Sequence, residues 1–274
     1  MKPQNLINSE IEAFYCKVSD EDRYTKGLGP LELERNKTLI GRYIKSPKRV
    51  VIDVGGGTGI YSQWLADLGH QVHLVDPVAK HIRKAKSRMS EHKQKFTCYL
   101  GESKRLCFAD NLADLVLVHG PLYHLQSGSE RIKAIKEAKR VCKKNGVILA
   151  VAINYASYTL VGLLNGMIHQ QGFYQMCRSH LLTGLHNPPQ DNQALFLPQA
   201  FFHKPDELIN EFKQVDLREI DLIAVEGMSW LDKDFFQNWE NPVKKKALMS
   251  LLELTEKDPY LISLSPHMMI VGRK

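Results

Sequence analysis

At 274 residues, with 43% hydrophobic and 24% charged residues, the chain has the balance of a globular protein that buries a core, and a disordered chain is excluded. No run of about 18 apolar residues occurs, and Met1–Asn5 opens without the apolar stretch of a secretory signal, so no membrane span is expected and the protein is placed in the cytoplasm. Five separated cysteines (Cys16, Cys98, Cys107, Cys142, Cys177) without a C-x-x-C pair argue against a disulfide framework and a metal site, and the net charge of +7 concentrates in Lys80–Lys95 and Arg131–Lys144, read as solvated helix faces rather than a nucleic-acid surface.

The chain then alternates short apolar runs with charged segments of helical period, the pattern of βαβ units around a mostly parallel sheet. Val50–Val54 reads as the first strand, Ile60–Leu68 as a helix ended by Gly69, and Val72–Val75 as the second strand, stopped at Asp76-Pro77. A basic helix over 78–90 precedes strands at Thr97–Leu100 and Leu115–Val118. The amphipathic segment Glu130–Val141 leads through a turn at Lys143–Gly146 into a fifth strand, Val147–Ile153. From Asn154 to Asp216 no clear strand is visible, and aromatic and methionine-bearing stretches flank a polar loop at Asn187–Asn192. This segment is expected to be an inserted helical cap. A sixth strand within Leu217–Val225, a helix over Asp234–Leu254 and a closing strand at His267–Val271 complete the chain. The expected units are a helical flap over 1–45, a core over 46–154 and 217–274, and a cap over 155–216.

Chemistry concentrates where strands end. Asp53-Val54-Gly55-Gly56-Gly57-Thr58-Gly59 joins a strand to a helix, and its alternate glycines let the backbone turn tightly and approach a ligand with no Cβ in the way. Ile60 stands where G-x-G-x-x-G needs its third glycine, which weakens a nicotinamide reading. No lysine follows Gly59, which excludes a triphosphate loop. Asp76, ending the next strand, is placed to accept both hydroxyls of a ribose, and Gly101-Glu102-Ser103 puts an acid and a backbone amide at the next crevice position, suited to adenine.

Together with Gly120-Pro121-Leu122-Tyr123-His124-Leu125 after the fourth strand, these motifs resemble those of the class I S-adenosylmethionine-dependent methyltransferases over residues 30 to 154. The resemblance implies a Rossmann-like, seven-stranded, mostly parallel α/β sheet with helices on both faces and a reversed last strand. It implies that Asp53, Gly55, Gly57 and Gly59 cradle the methionine part of S-adenosylmethionine, that Asp76 with Pro77 holds the ribose, and that Glu102 and Ser103 hold adenine. Gly120 and Leu122 would flank the sulfonium. Glu102 departs from the commoner aspartate by one methylene.

In-line methyl transfer needs alignment and exclusion of water, so a closing cap is expected over 154–216, with Tyr15–Glu34 as a second flap. The aromatics Tyr155, Tyr158, Phe173, Tyr174, Phe196, Phe201 and Phe202 suggest an apolar acceptor pocket, although packing within the cap accounts for each equally well. A general base is needed only for an acceptor protonated at neutral pH. His119, His124, His186 and His203 are candidates, with His124 beside Tyr123 favoured. Asn187-Pro188-Pro189 resembles the N-P-P motif of base-modifying enzymes, but it lies in the cap rather than at the end of strand four and reads as a turn. A small-molecule acceptor, through oxygen or nitrogen, is the expectation. An RNA or protein methyltransferase and a non-catalytic cofactor-binding module are the alternatives.

Overall fold

A computed structural model describes residues 6–18, 22–46, 48–189 and 196–274. In chain order the helices and strands are α1 Ser9–Lys17, α2 Gly29–Tyr43, β1 Val50–Val54, α3 Ile60–Asp67, β2 Gln71–Asp76, α4 Ala79–Ser90, β3 Thr97–Leu100, β4 Ala113–His119, α5 Pro121–His124, α6 Gly128–Val141 and β5 Cys142–Ile153. There follow α7 Ser157–Leu164, α8 Gln171–Thr183, β6 Leu185–His186, β7 Ala200–Phe201, α9 Pro205–Gln214, β8 Arg218–Ala224, α10 Phe235–Trp239, α11 Pro242–Thr255 and β9 His267–Arg273. Seven strands form one sheet in the order β3-β2-β1-β4-β5-β9-β8, and β9 alone runs antiparallel to its neighbours. The expected seven-stranded, mostly parallel architecture with a reversed last strand is the one observed.

Side chains alternate between the two faces of each central strand, and both faces are covered, which is why these strands read as unbroken apolar runs. Val51, Leu115, Leu117 and Leu149 pack against Leu39 and Ile40 of α2 and Tyr61 and Leu65 of α3. On the opposite face Ile52, Val116, Val118 and Ile148 meet Ile135 and Ala138 of α6 and Leu208 and Phe212 of α9. The fully buried Arg35 fixes α2 to the far side of the sheet, donating to the Val225 carbonyl at 3.1 Å and to the Glu256 carboxylate at 2.6 Å, which Arg42 also engages.

Several expectations are corrected. The segment expected to be a flap is two structures: α2 belongs to the core, and only α1 and the turn after it lie over the carboxyl ends of the strands. The segment expected to be an all-helical cap holds a small antiparallel ribbon, β6 with β7, and ends before α9, which packs in the core. The turn expected at 143–146 lies inside β5, where the pairing with β4 jumps from Cys142 to Val147 and Asn145 takes a φ of +64°. The helix expected over 234–254 is split because Pro242 begins a new helix, capped by the Asn241 side chain accepting from the amides of Val243 and Lys244. Residues 190–192 of the expected polar loop, and Met1–Asn5, lie outside the described residues. No helix among the described residues is long and apolar enough to cross a membrane.

Candidate active site

The loop after β1 is shaped by close approach. Gly55 has a φ of +78°, and a Cβ there would lie 2.5 Å from the His119 carbonyl and 2.6 Å from Pro121 Cδ, so only glycine lets the β1 and β4 exits pass each other. The loop is then pinned to the end of β2. Asp76 Oδ2 accepts from the Gly57 amide at 3.0 Å, and Oδ1 accepts from the Val78 amide at 2.8 Å and lies 3.0 Å from His81 Nδ1. A carboxylate offers about four lone-pair sites, so one site on Oδ2 is left for a ligand. With Nδ1 of His81 given to Asp76, its Nε2 is buried without a hydrogen-bond partner among the described residues.

These groups open onto one cleft of about 290 Å³. Gly55, Gly57, Asp76 and Pro77 line it on the β1 and β2 side, Glu102 and Ser103 after β3, and Gly120, Tyr123 and His124 after β4. Nine of the twelve residues that the sequence assigned to the cofactor or to the methyl-transfer step are thus brought together. Three are not. Asp53 lies beneath the loop, fully buried, accepting a 2.6 Å bond from Ser62 Oγ, and burial pushes its carboxyl up to about 6. Gly59 backs onto Phe96 and Ala85, where it lets α3 sit close to its neighbours. Leu122 turns into the core below the cleft. Their side of the loop supports the site and does not face it.

Glu102 is not a free acceptor, since its carboxylate lies 3.5 Å from Lys104 Nζ, which also pairs with Glu130 at 2.7 Å. His124 is partly buried and shares a 2.7 Å hydrogen bond between its Nε2 and Tyr15 Oη of α1, a contact across 109 positions. Burial pushes the His124 imidazole down to about 3, so it is neutral across the physiological range. His119, which also lines the cleft, stacks on Tyr61 at 4.9 Å, and burial also lowers it.

The other two candidate histidines are elsewhere. His186 donates from Nε2 to the Leu197 carbonyl at 2.9 Å, so its Nδ1 accepts at 2.7 Å from His180 Nε2 within the cap. His203 lies 3.3 Å from a Glu211 carboxylate oxygen. Nor do the cap aromatics wall the cleft. Tyr155, Tyr158 and Phe202 pack on Ile153 and Ala200, and Phe173 on Met176, while among the described residues Gln199 is what that segment contributes. The apolar wall comes instead from Leu6, Ile7, Ile11 and Tyr15 at the N-terminus. Sequence reasoning expected a flap over 1–45 and named Tyr15 within it, but it did not single out Leu6, Ile7 or Ile11, and it missed His81. His81 had a signal, standing five residues after Asp76 in the first turn of the following helix, whereas nothing in the spacing of α1 told which of its apolar residues face the cleft.

A parallel sheet whose β1 exit is a glycine loop braced by the β2 acid, with one cleft across the strand ends, defines a nucleoside-binding α/β domain of the Rossmann-like class. Residues 52–150 match the family model described as "Methyltransferase domain", and this segment is a class I S-adenosylmethionine-dependent methyltransferase domain. The chain is 27% identical over 125 residues to the uncharacterized methyltransferase YodH of Bacillus subtilis (strain 168), 46% of this chain and 52% of that protein. It therefore spans about half the length of that curated relative. Among solved structures it is similar to a SAM-dependent methyltransferase from Methanosarcina mazei, with a TM-score of 0.60, 16% identity and coverage of 86% of this chain and 96% of that one. The N-methyltransferase NodS of Bradyrhizobium japonicum, determined with S-adenosylhomocysteine, gives a TM-score of 0.59 at 13% identity over 97% and 99% of the two chains. A putative methyltransferase of Haloferax volcanii, determined in complex with the Trm112 methyltransferase activator, gives 0.58 at 16% over 97% and 98%. At these identities the structural likenesses show the fold.

Proposed function

We propose that the protein transfers the methyl group of S-adenosylmethionine to a small-molecule oxygen or nitrogen acceptor by in-line displacement. The observation that carries this reading is the roof of the cleft: α1 is tied down through Tyr15 to His124, shortly after β4, so a helix covers part of the acceptor end, which favours a small acceptor over a polymer. The residues present fit the cofactor. The unfilled lone pair of Asp76 and the orphaned His81 Nε2 suit the ribose hydroxyls, the Gly55–Gly57 backbone suits the methionine part, and Ser103 with the backbone after β3 suits adenine. When bound, the cofactor supplies an electrophilic methyl on a sulfonium, and the protein's share is to orient the acceptor and keep water away, which is worth on the order of 7 to 11 kcal/mol.

His124 and Tyr123 are the groups we assign to the acceptor side. A neutral imidazole held near a pKa of about 3 is a weak base, and its part is to accept or relay a hydrogen bond as charge develops on the acceptor. The basic segments favour the small-molecule reading over an RNA one, because several of their cations are used internally. Lys139 donates to the Val215 carbonyl, Arg140 pairs with Glu137 and Asp110, and Lys143 pairs with Asp114. Calorimetric titration with S-adenosylmethionine, S-adenosylhomocysteine and NAD, followed by transfer of a labelled methyl to a panel of small acceptors, tests it. Micromolar binding of the first two alone, with transfer insensitive to salt, is expected. Absence of cofactor binding, or transfer only to RNA with a steep salt dependence, would overturn it.

A further inference from the structure

A second cluster lies behind the acceptor end of the cleft. Glu32 of α2, Glu226 just after β8 and His267 at the start of β9 each offer a ligand atom, and these atoms lie within 4.8 Å of one another. Both carboxylates are buried, at 5% and 1% exposure. Two buried negative charges in one place require cations. Arg23 pairs with Glu32, and His267 Nδ1 lies 2.6 Å from Glu226 Oε1. The arrangement around Glu226 is fixed from outside, since its Oε2 accepts from the His267 amide at 2.9 Å and from Ser265 Oγ at 3.1 Å. Such outer-shell hydrogen bonds are the usual support of a ligating carboxylate.

An independent observation comes from β4. His119 is 7% exposed, its Nε2 has no hydrogen-bond partner among the described residues, and that atom lies 3.9 Å from Glu32 Oε1. A buried imidazole nitrogen without a partner is costly, and it is aimed into the acidic cluster. The four side chains come from four different elements, all at the carboxyl end of the sheet, where His267 is registered against Ile153 at the end of β5.

We propose that Glu32, His119, Glu226 and His267 bind one divalent first-row transition ion with the preferences of Zn²⁺. Two imidazoles and two carboxylates form a nitrogen and oxygen donor set that suits Zn²⁺ or Co²⁺ better than the all-oxygen cages of Ca²⁺. Two carboxylates neutralise a dication, which takes over from the guanidinium of Arg23 as their counter-charge. Bonds of about 2.0 to 2.2 Å put tetrahedral ligands about 3.4 Å apart, so Glu32, Glu226 and His267, whose ligand atoms lie within 4.8 Å of one another, must draw together by up to about 1.4 Å, and His119, 3.9 Å from Glu32 Oε1, must turn toward the other two. Placement of the ion at the acceptor end rests on the methyltransferase reading. The binding of the ion does not.

Chelator-treated full-length protein titrated with Zn²⁺ by calorimetry, and with Co²⁺ by visible absorption, tests the site without any methyl-transfer assay. One ion per chain is expected, with Co²⁺ bands of a four-coordinate nitrogen and oxygen site and no thiolate charge transfer. Glu226→Gln and His267→Gln should each weaken binding at least tenfold, and Arg23→Gln should tighten it by removing a competing permanent cation. Should the first two lower the melting temperature severely, His119→Gln, whose Nε2 loses no hydrogen bond, serves in their place. Failure of the wild type to take up one ion per chain, or uptake unchanged in these variants, would overturn the proposal and leave a buried ion-pair network. A parallel titration with S-adenosylmethionine separates failure of this site from failure of the functional reading.

Discussion

Asp76→Asn is the most informative single change, because the carboxylate serves the loop and the cofactor through different atoms. Oδ1 accepts from the Val78 amide and faces His81 Nδ1, while Oδ2 accepts from the Gly57 amide and keeps one site free. An asparagine must point its NH₂ one way or the other. Turning its oxygen toward Val78 and His81 preserves two partners, so the NH₂ faces the Gly57 amide and the free site becomes a donor. A buried amide left unsatisfied costs about 1 to 3 kcal/mol, and a lost charge-assisted bond to a ribose hydroxyl about 1.5 to 3 kcal/mol. Melting should therefore fall by about 2 to 10 °C, and S-adenosylmethionine should bind about 10- to 150-fold more weakly. Calorimetry for affinity and scanning calorimetry for melting read the two effects separately. Affinity within about threefold of wild type, with melting lowered, would reduce Asp76 to a loop brace. Lowered affinity with unchanged melting would refute the bracing geometry, and no change in either would refute both.

Gly55→Ala should be far more damaging than Gly69→Ala. Both glycines have positive φ, which costs a side chain about 1 to 2 kcal/mol, but only at Gly55 does a Cβ also meet backbone at 2.5 Å, and equal melting temperatures would contradict that approach. Burial pushes His180 and His186 down to about 3 and about 4. Their stability contribution is complete above pH 6.5 and is lost as pH falls, by about 2 kcal/mol each at pH 5. Hydrogen exchange in β6 and β7 should accelerate steeply between pH 7 and 5, and a flat profile would count against the buried neutral pair. Asp53 has the opposite sign. With its carboxyl raised to about 6, the folded state holds a proton that the unfolded state has released, so stability falls as pH rises from about 4 to about 6, by on the order of 3 kcal/mol. Asp53→Asn should abolish that component, seen as wild type losing ground to the variant in melting temperature between pH 4.5 and 7.

Much of the sheet is legible in the sequence because each central strand is buried on both faces and is therefore an unbroken apolar run, and because Asp53 and Asp76 mark where β1 and β2 end. The same reasoning misreads α9. Its amphipathic pattern says that one face is buried without saying against what, and Leu208 and Phe212 turn out to belong to the sheet's core rather than to the cap. The cap aromatics fail in the same way, since a run of aromatic residues is compatible with a ligand wall or with mutual packing, and here Tyr158 stands edge-on to Phe202 at 5.1 Å. Contacts such as Tyr15 to His124, or Glu32 to His267, join residues 109 and 235 positions apart, and no local spacing encodes them.

Within the glycine motif itself, spacing establishes a backbone path but not the direction each residue faces. Asp53 and Asp76 look equivalent in the sequence, each an acid at a strand end. What separates them is the layer beneath. Ser62, in the first turn of α3, draws the Asp53 carboxylate under the loop, whereas Asp76 is followed by Pro77 and the uncapped start of α4, so that its carboxylate takes the Val78 amide and turns His81 into the cleft. One acid sets the shape of the loop from below and the other is presented to the ligand. The difference is made by residues that lie outside the motif.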